Sequence, residues 1–226
     1  MKVTYYGHSS FLVEAGGRKL LFDPFITPNP AAKSIDIKQI RPDYILVSHG
    51  HGDHVTDVVA IAKNSHATVI AGYEVAMWLN KNGAEKTHGM NHGGSFQFDF
   101  GRVKLTAAIH SSSMPDGSYG GNPAGFVVET KAGNFYYSGD TALTMDMKLI
   151  GESTGLKFAA LCIGSNFTMD VSDAIKAAEF VRCDEIIGMH YDTFPPIKID
   201  HAVAKEKFKA AGKNLHLLAI GETREF

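Results

Sequence analysis

The stretch Leu46-Val47-Ser48-His49-Gly50-His51-Gly52-Asp53-His54 decides the reading of this chain. Three histidines and an aspartate fall within residues 49–54, directly after the apolar run Tyr44-Ile45-Leu46-Val47. Such a run predicts a buried strand, and a strand that ends in a short loop delivers its side chains to a fixed place at a sheet edge. Gly50 and Gly52 predict a sharp turn that lets alternate imidazoles converge. Neutral imidazole and carboxylate together suit zinc and other borderline transition ions. A merely polar turn has no use for four potential ligands at this spacing.

Further ligands are expected at strand ends, where a rigid scaffold presents its loops. His110 follows an apolar run at residues 103–109, Asp140 follows one at 135–138, and His190 follows one at 186–189. Asp23, placed between a strand at 19–22 and Pro24, is expected to accept from the free N–H of a ligating imidazole. His8, after Gly7, is expected near the ligands in a similar supporting place. His66, His88, His92, His201 and His216 fit no ligand pattern and read as surface or packing residues.

Periodicity and turn signals organise the rest of the chain. Strands are expected at residues 3–6, 11–14 and 19–22, then a Pro-containing loop over 25–39 and a strand into Ser48. A helix at 56–63, a strand at 68–71 and a helix at 73–82 closed by Gly83 follow. Hairpin-like strands are expected at 95–100, 103–109, 125–129 and 135–138. The last third alternates: helix near 145–150, strand 158–163, helix 172–181, strand 185–189, helix 202–211 and a final strand 215–219. Strands that meander and then alternate with helices, twice over, predict two packed sheets with helices outside. No linker or low-complexity segment divides residues 1–226, so a single domain is expected.

Composition narrows the function classes. Hydrophobic content of 44% and charged content of 20% are those of a globular chain with a substantial core. A formal net charge of −2 gives no electrostatic footprint for nucleic acid or an anionic membrane. The two cysteines, Cys162 and Cys183, form neither a CxxC pair nor a disulfide framework, which suggests a reducing, cytoplasmic setting. The amino terminus reads as a strand rather than a signal peptide, and no apolar run approaches a membrane span.

His49-x-His51-x-Asp53-His54, then His110, Asp140 and His190, resembles the metallo-β-lactamase superfamily in order and spacing across nearly the entire chain. Gly7-His8-Ser9-Ser10-Phe11, Asp23-Pro24-Phe25-Ile26, residues 163–169 and residues 188–195 bring it closer to the UPF0173 family of metal-dependent hydrolases. Ascorbate-6-phosphate lactonases and N-acylphosphatidylethanolamine phospholipases resemble it more distantly. Asp170-Val171 departs from the Gly-Pro expected there. The resemblance implies a four-layer αββα sandwich and two divalent ions, of which zinc, manganese or nickel are the expected kinds. It assigns His49, His51 and His110 to one ion and Asp53, His54 and His190 to the other, with Asp140 bridging them. Hydroxide formed on such a pair, about 3.5–4 Å apart, would cleave a small ester, lactone or phosphodiester with no serine or cysteine nucleophile, which makes Asp53 and Asp140 the catalytic carboxylates.

The expected partner is therefore a small molecule; a homo-oligomer is compatible with the sequence. Substrate contacts are expected from Phe25, Met114, Tyr119, Asn166 and Tyr191, on the loops and strand end around the ligands. Residues 111–122, polar and carrying three glycines, are expected to form a mobile gate beside His110. Two rival classes are iron-dependent oxidoreductases on the same fold and metal binding without turnover. Diiron relatives replace the second histidine of the cluster by glutamate, whereas His51 is present here. Retention of both Asp53 and Asp140 argues against a merely structural zinc, which takes four protein ligands and no open position.

Overall fold

A computed structural model describes residues 1–226. Strands β1 (Lys2–Gly7), β2 (Ser10–Ala15) and β3 (Arg18–Phe22) form an antiparallel meander. Then β4 (Tyr44–Val47), the one-turn α1 (Gly52–Val55), α2 (Val58–Ser65), β5 (Thr68–Gly72), α3 (Tyr73–Lys81) and β6 (Lys86–Met90) extend the sheet in parallel. The second half repeats the plan. Strands β7 (Ser95–Gln97), β8 (Arg102–Ala107), β9 (Ala124–Thr130) and β10 (Gly133–Tyr137) run antiparallel. They are followed by α4 (Asp146–Ser153), β11 (Phe158–Cys162), α5 (Val171–Phe180), β12 (Glu185–Met189), α6 (His201–Ala210) and β13 (Asn214–His216), whose strands are parallel. The last strand, β14 (Thr223–Glu225), returns to the first sheet and pairs with β1. Two seven-stranded sheets result.

Side-chain alternation makes the layers. In β3, Leu20 and Phe22 enter the core between the sheets while Leu21 faces the helices; in β4, Leu46 faces inward while Ile45 and Val47 face outward. Phe22 meets Phe126, Phe135 and Tyr137 of the second sheet, with ring centroids 6.2, 5.8 and 4.7 Å away. Ile61, Ala62, Val75, Ala76 and Leu79 of α2 and α3 cover the outer face of the first sheet. Ala174, Ala177 and Ala178 of α5 and Phe208 of α6 cover the second, so β11 is buried along its whole length. This is the four-layer αββα sandwich. No helix is long and apolar enough to cross a membrane.

Differences from the sequence reading have local causes. β6 and β14 read as coil because Lys86-Thr87-His88-Gly89-Met90 and Thr223-Arg224-Glu225 carry no apolar alternation; both are sheet edges. The 25–39 loop contains two 3₁₀ turns, Pro30–Ala32 and Ile37–Gln39, capped by Asn29 and Asp36. The final parallel strand ends at His216 rather than 219 because the chain must turn toward β14. At the Asp170-Val171 departure, Asp170 caps α5 by accepting from Asp173 N at 2.8 Å.

Candidate metal centre

Six segments reach one end of the sandwich, mostly from the carboxyl ends of strands. The β1–β2 turn brings His8, β3 brings Asp23, β4 brings His49 to His54, β10 brings Asp140 and β12 brings His190. His110 follows β8 after a short extension. Adjacent strands are held in register close to these ends, with Phe22 opposite Leu46 and Cys162 opposite Met189. The ligand-bearing loops therefore cannot slide past one another.

Gly50 and Gly52 serve a purpose other than the expected sharp turn. Neither has a positive φ. Gly50 is a close approach: a Cβ there would lie 2.5 Å from Met114 Sδ. His51 and Gly52 begin α1, which turns Asp53 and His54 inward. Gly139 does need left-handed freedom, at φ 60°, and a Cβ would lie 2.5 Å from the Ala124 carbonyl oxygen. It aims Asp140 at the centre. His8, Asp23 and His190 adopt positive φ without being glycine, at 56°, 37° and 56°. Each such conformation costs about 1–3 kcal/mol and persists only where its surroundings enforce it.

The ligand atoms fall into two sets. His49, His51 and His110 form one, with His49 Nε2 3.0 Å from His51 Nδ1 and the His110 ring centroid 5.1 Å from each of the other two. Asp53, His54 and His190 form the other, joined by His8. Asp140 Oδ2 lies 3.3 Å from His54 Nε2, 2.8 Å from His190 Nε2 and 3.7 Å from His110 Nε2, so it stands between the sets. His54 Nε2 and Asp140 Oδ1 are buried with no hydrogen-bond partner. Buried polar atoms without partners are rare in folded proteins. Imidazole nitrogens and carboxylate oxygens converging in this way fit a pair of divalent cations.

Supporting hydrogen bonds fix the tautomers. A carboxylate can only accept, so the Ser48 hydroxyl donates to Asp23 Oδ2 at 2.5 Å and must accept from His49 Nδ1 at 2.9 Å. That leaves the lone pair of His49 on Nε2, facing the centre. His54 Nδ1 donates to Asp23 Oδ2 at 2.8 Å, and the Tyr137 hydroxyl donates to the same oxygen at 2.8 Å. Asp23, fully buried, thus orients ligands of both sets. His8 Nε2 donates to Asp53 Oδ2 at 3.1 Å, and its Nδ1 accepts from the Thr193 hydroxyl at 2.9 Å.

Charge is balanced within the cluster. Burial is the strongest single influence on His54 and His190 and opposes their charge, yet the neighbouring carboxylates, Asp140 foremost, together outweigh it. With help from Asp23, His54 is held well above the usual imidazole range; with help from Asp53, His190 is raised to about 9. Burial also opposes ionisation of Asp140 and Asp53, but the neighbouring histidines hold both well below the usual carboxylate range. Burial lowers His49, His51 and His110, and takes His8 down to about 4. Without metal, protons on His54 and His190 occupy the electrostatic role that a cation would take.

A cavity of about 350 Å³ opens onto the cluster. His51, Asp53, His110, Asp140 and His190 form its inner wall, and Ser111, Phe167 and Phe194 its mouth. Ser111 Oγ lies 3.3 Å from His51 Nε2. The expected substrate contacts need correction. Met114 is buried at 2% exposure in the core beneath the first sheet's helices, and Tyr191 at 6% packs edge-on against His201. Phe25 is buried behind His8, ring centroids 5.6 Å apart. Tyr119 and Asn166 are exposed but do not line the cavity. Phe167, Phe194 and Ser111 line the cavity instead, and the sequence reading named none of them as a contact.

The loop 111–122 is held by more contacts than its composition suggested. Ser113 pairs with Tyr119, Met114 N donates to Ser118 O at 2.9 Å, and Gly120 N donates to Ser112 O. The Ser112 hydroxyl donates to the Gly120 carbonyl while accepting from Gly50 N, and Trp78 Nε1 donates to Asp116 at 2.8 Å. Met114 anchors the whole excursion.

A family profile described as Beta-lactamase superfamily domain matches residues 18–191. The chain is 56% identical to a UPF0173 metal-dependent hydrolase of Flavobacterium johnsoniae over all of both chains. It is 53% identical to one of Christiangramia forsetii, again over all of both. Among solved structures it is similar to Igni18, a metallo hydrolase from the archaeon Ignicoccus hospitalis, with a TM-score of 0.89 and 35% identity over 100% of this chain and 98% of that one.

Proposed function

This chain belongs to the UPF0173 family of the metallo-β-lactamase superfamily, and from that membership and its ligand geometry we propose that it is a dinuclear metal-dependent hydrolase of small esters, lactones or phosphodiesters. The observation that carries the proposal is the convergence of two histidine-rich sets on Asp140, with partnerless buried atoms among them. His49, His51 and His110 would hold one ion and Asp53, His54 and His190 the other, with zinc, manganese or nickel as the fitting kinds. Ions so held supply an activated water at neutral pH and polarise the electrophilic oxygen of the substrate.

The chain's own residues do the rest. Asp140 balances charge between the two sets. Asp23, through Ser48 and directly, keeps His49 and His54 in the tautomers that face inward. His8 holds the outer side of Asp53. Phe167 and Phe194 narrow the entrance, which limits the substrate to a small molecule and reduces bulk water around the inner wall. Elemental analysis of metal-replete protein tests the arrangement: two ions per chain are expected, and a stoichiometry fixed at one would overturn the dinuclear reading. A panel of esters, lactones and phosphodiesters then tests the reaction, for which turnover abolished by chelation is expected.

A further inference from the structure

Phe167 is 53% exposed, and backbone hydrogen bonds hold its loop in place. Ser165 N donates to Met169 O and Met169 N to Thr141 O, each at 3.0 Å. Ser165 and Asn166 are both left-handed, at φ 63° and 57°. Neither is glycine, so two consecutive strained residues present the ring at the cavity mouth. Phe194, the other ring lining the cavity, is backed by His8 and Phe25, with centroids 5.5 and 6.2 Å away. Both rings line the cavity that leads to the proposed ligands, Phe194 backed by other rings and Phe167 placed by its hydrogen-bonded loop.

Charge sharpens the picture. The cavity wall includes Asp53 and Asp140 but no lysine or arginine. Lys33 and Lys198 are exposed and lie outside it. The buried carboxylates Asp23 and Asp140, together with the half-buried Asp53, would offset most of the charge of two divalent ions. A substrate bringing its own negative charge meets carboxylates and two hydrocarbon rings. An uncharged one loses nothing, and its apolar arm gains both rings. At about 350 Å³ the cavity lies at the small end of ligand sites, with room for an arm the size of one aromatic ring.

We infer that Phe167 and Phe194 form a clamp for the apolar arm of an uncharged carboxylic ester or lactone, and that anionic phosphoesters are disfavoured at this centre. The inference narrows the hydrolase reading and rests on it for the reaction, though not for the clamp. In the reaction the water oxygen bonds the acyl carbon, the acyl–oxygen bond breaks, and the water's proton passes to the departing alkoxide. Acid and alcohol result, or a hydroxy acid from a lactone.

Two measurements separate the clamp from the reaction. The first is ¹⁹F NMR of protein labelled with 4-fluorophenylalanine, the two signals assigned with Phe167→Leu and Phe194→Leu. Titration with 4-phenyl-2-butanone, an uncleavable uncharged carbonyl compound, should shift both signals saturably with and without zinc. Methyl phenylphosphonate, of similar size but anionic, should bind the zinc-loaded protein at least about tenfold more weakly. The second is steady-state kinetics on phenyl butyrate, where Phe167→Ala and Phe194→Ala should each raise KM about tenfold with kcat within about twofold. Equal or tighter binding of the phosphonate, or ring signals indifferent to the ketone, would overturn the clamp. Saturable ring shifts with no turnover of any substrate would instead uphold the clamp and overturn the hydrolytic reading.

Discussion

Asp23 is the residue on which both ligand sets depend, although it is itself no member of either trio of histidine-rich ligands. One oxygen accepts from Ser48, His54 and Tyr137, and the other accepts from the Ser48 amide at 2.8 Å. Asp23→Asn puts an amide N–H₂ where only donors point, and it removes the charge that His54 needs. Breaking a buried charged pair in this way costs about 3–5 kcal/mol, to be read by urea unfolding in the presence of chelator. Metal affinity at both sites should fall about 10- to 100-fold, because both His49 and His54 lose their orientation; chelator competition measures it. Asp140→Asn should behave differently. The amide can still coordinate through oxygen, so metal content falls less than turnover, and unchanged turnover at full occupancy would show that Asp140 is not the bridge. The candidate ligands were legible as a cluster because each lies at or just after an apolar strand, and strand ends are where topology gathers residues. Phe25, Met114 and Tyr191 were misread because loop composition does not tell which apolar side chain turns into the core and which toward a cavity.

Among the elements, the loop 111–122 shows how composition misleads about mobility. Its serines and glycines offer little apolar area, yet Met114 inserts fully against Gly50, and the serine hydroxyls close the turn on itself. Met114→Ala should therefore cost about 2–5 kcal/mol, as other buried truncations do, measured by urea unfolding; it should also raise protease sensitivity within the loop. Tyr119→Ala is the contrasting variant. Tyr119 is 67% exposed and off the cavity wall, so stability should change by less than about 0.5 kcal/mol and KM should stay at the wild-type value. A raised KM would restore the loop as a gate. The same logic separates the strands that periodicity identified from those it missed. β3, β4, β9 and β12 carry buried apolar runs because both sides of their sheets are covered, whereas β6 and β14 lie at the sheet edges and are largely polar and exposed. The single turn of α1 is too short to show a 3.6-residue period, and it sits inside the ligand motif itself.

For the molecule as a whole, the centre couples folding to both protons and metal. In metal-free protein His190 titrates near 9, and His54 also lies well above its unfolded value of about 6.5. A raised histidine contributes stability that is complete below its unfolded pKa and is lost as pH climbs through the folded pKa. Between pH 6.5 and 9 the native metal-free state thus binds protons that the unfolded chain has released, and its stability falls with rising pH by up to about 1.4 kcal/mol per unit for each such group. The depressed carboxylates Asp53 and Asp140 do not oppose this trend, since their contribution is complete well below that window. Neither do His8, His49, His51 and His110, which are neutral in both states above their unfolded pKa. Cations bound at the proposed sites would replace the protons on His54 and His190, so native and unfolded states would hold equal numbers at these positions and the slope should disappear. The stabilisation conferred by saturating zinc should accordingly grow from pH 6.5 to 8.5. Urea unfolding at pH 6.5, 7.5 and 8.5, with chelator and with excess zinc, measures both slopes. Metal-free stability that stays level or rises across that range would mean that Asp140 and Asp23 do not hold protons on these histidines, and the electrostatic account of the centre would fall with it.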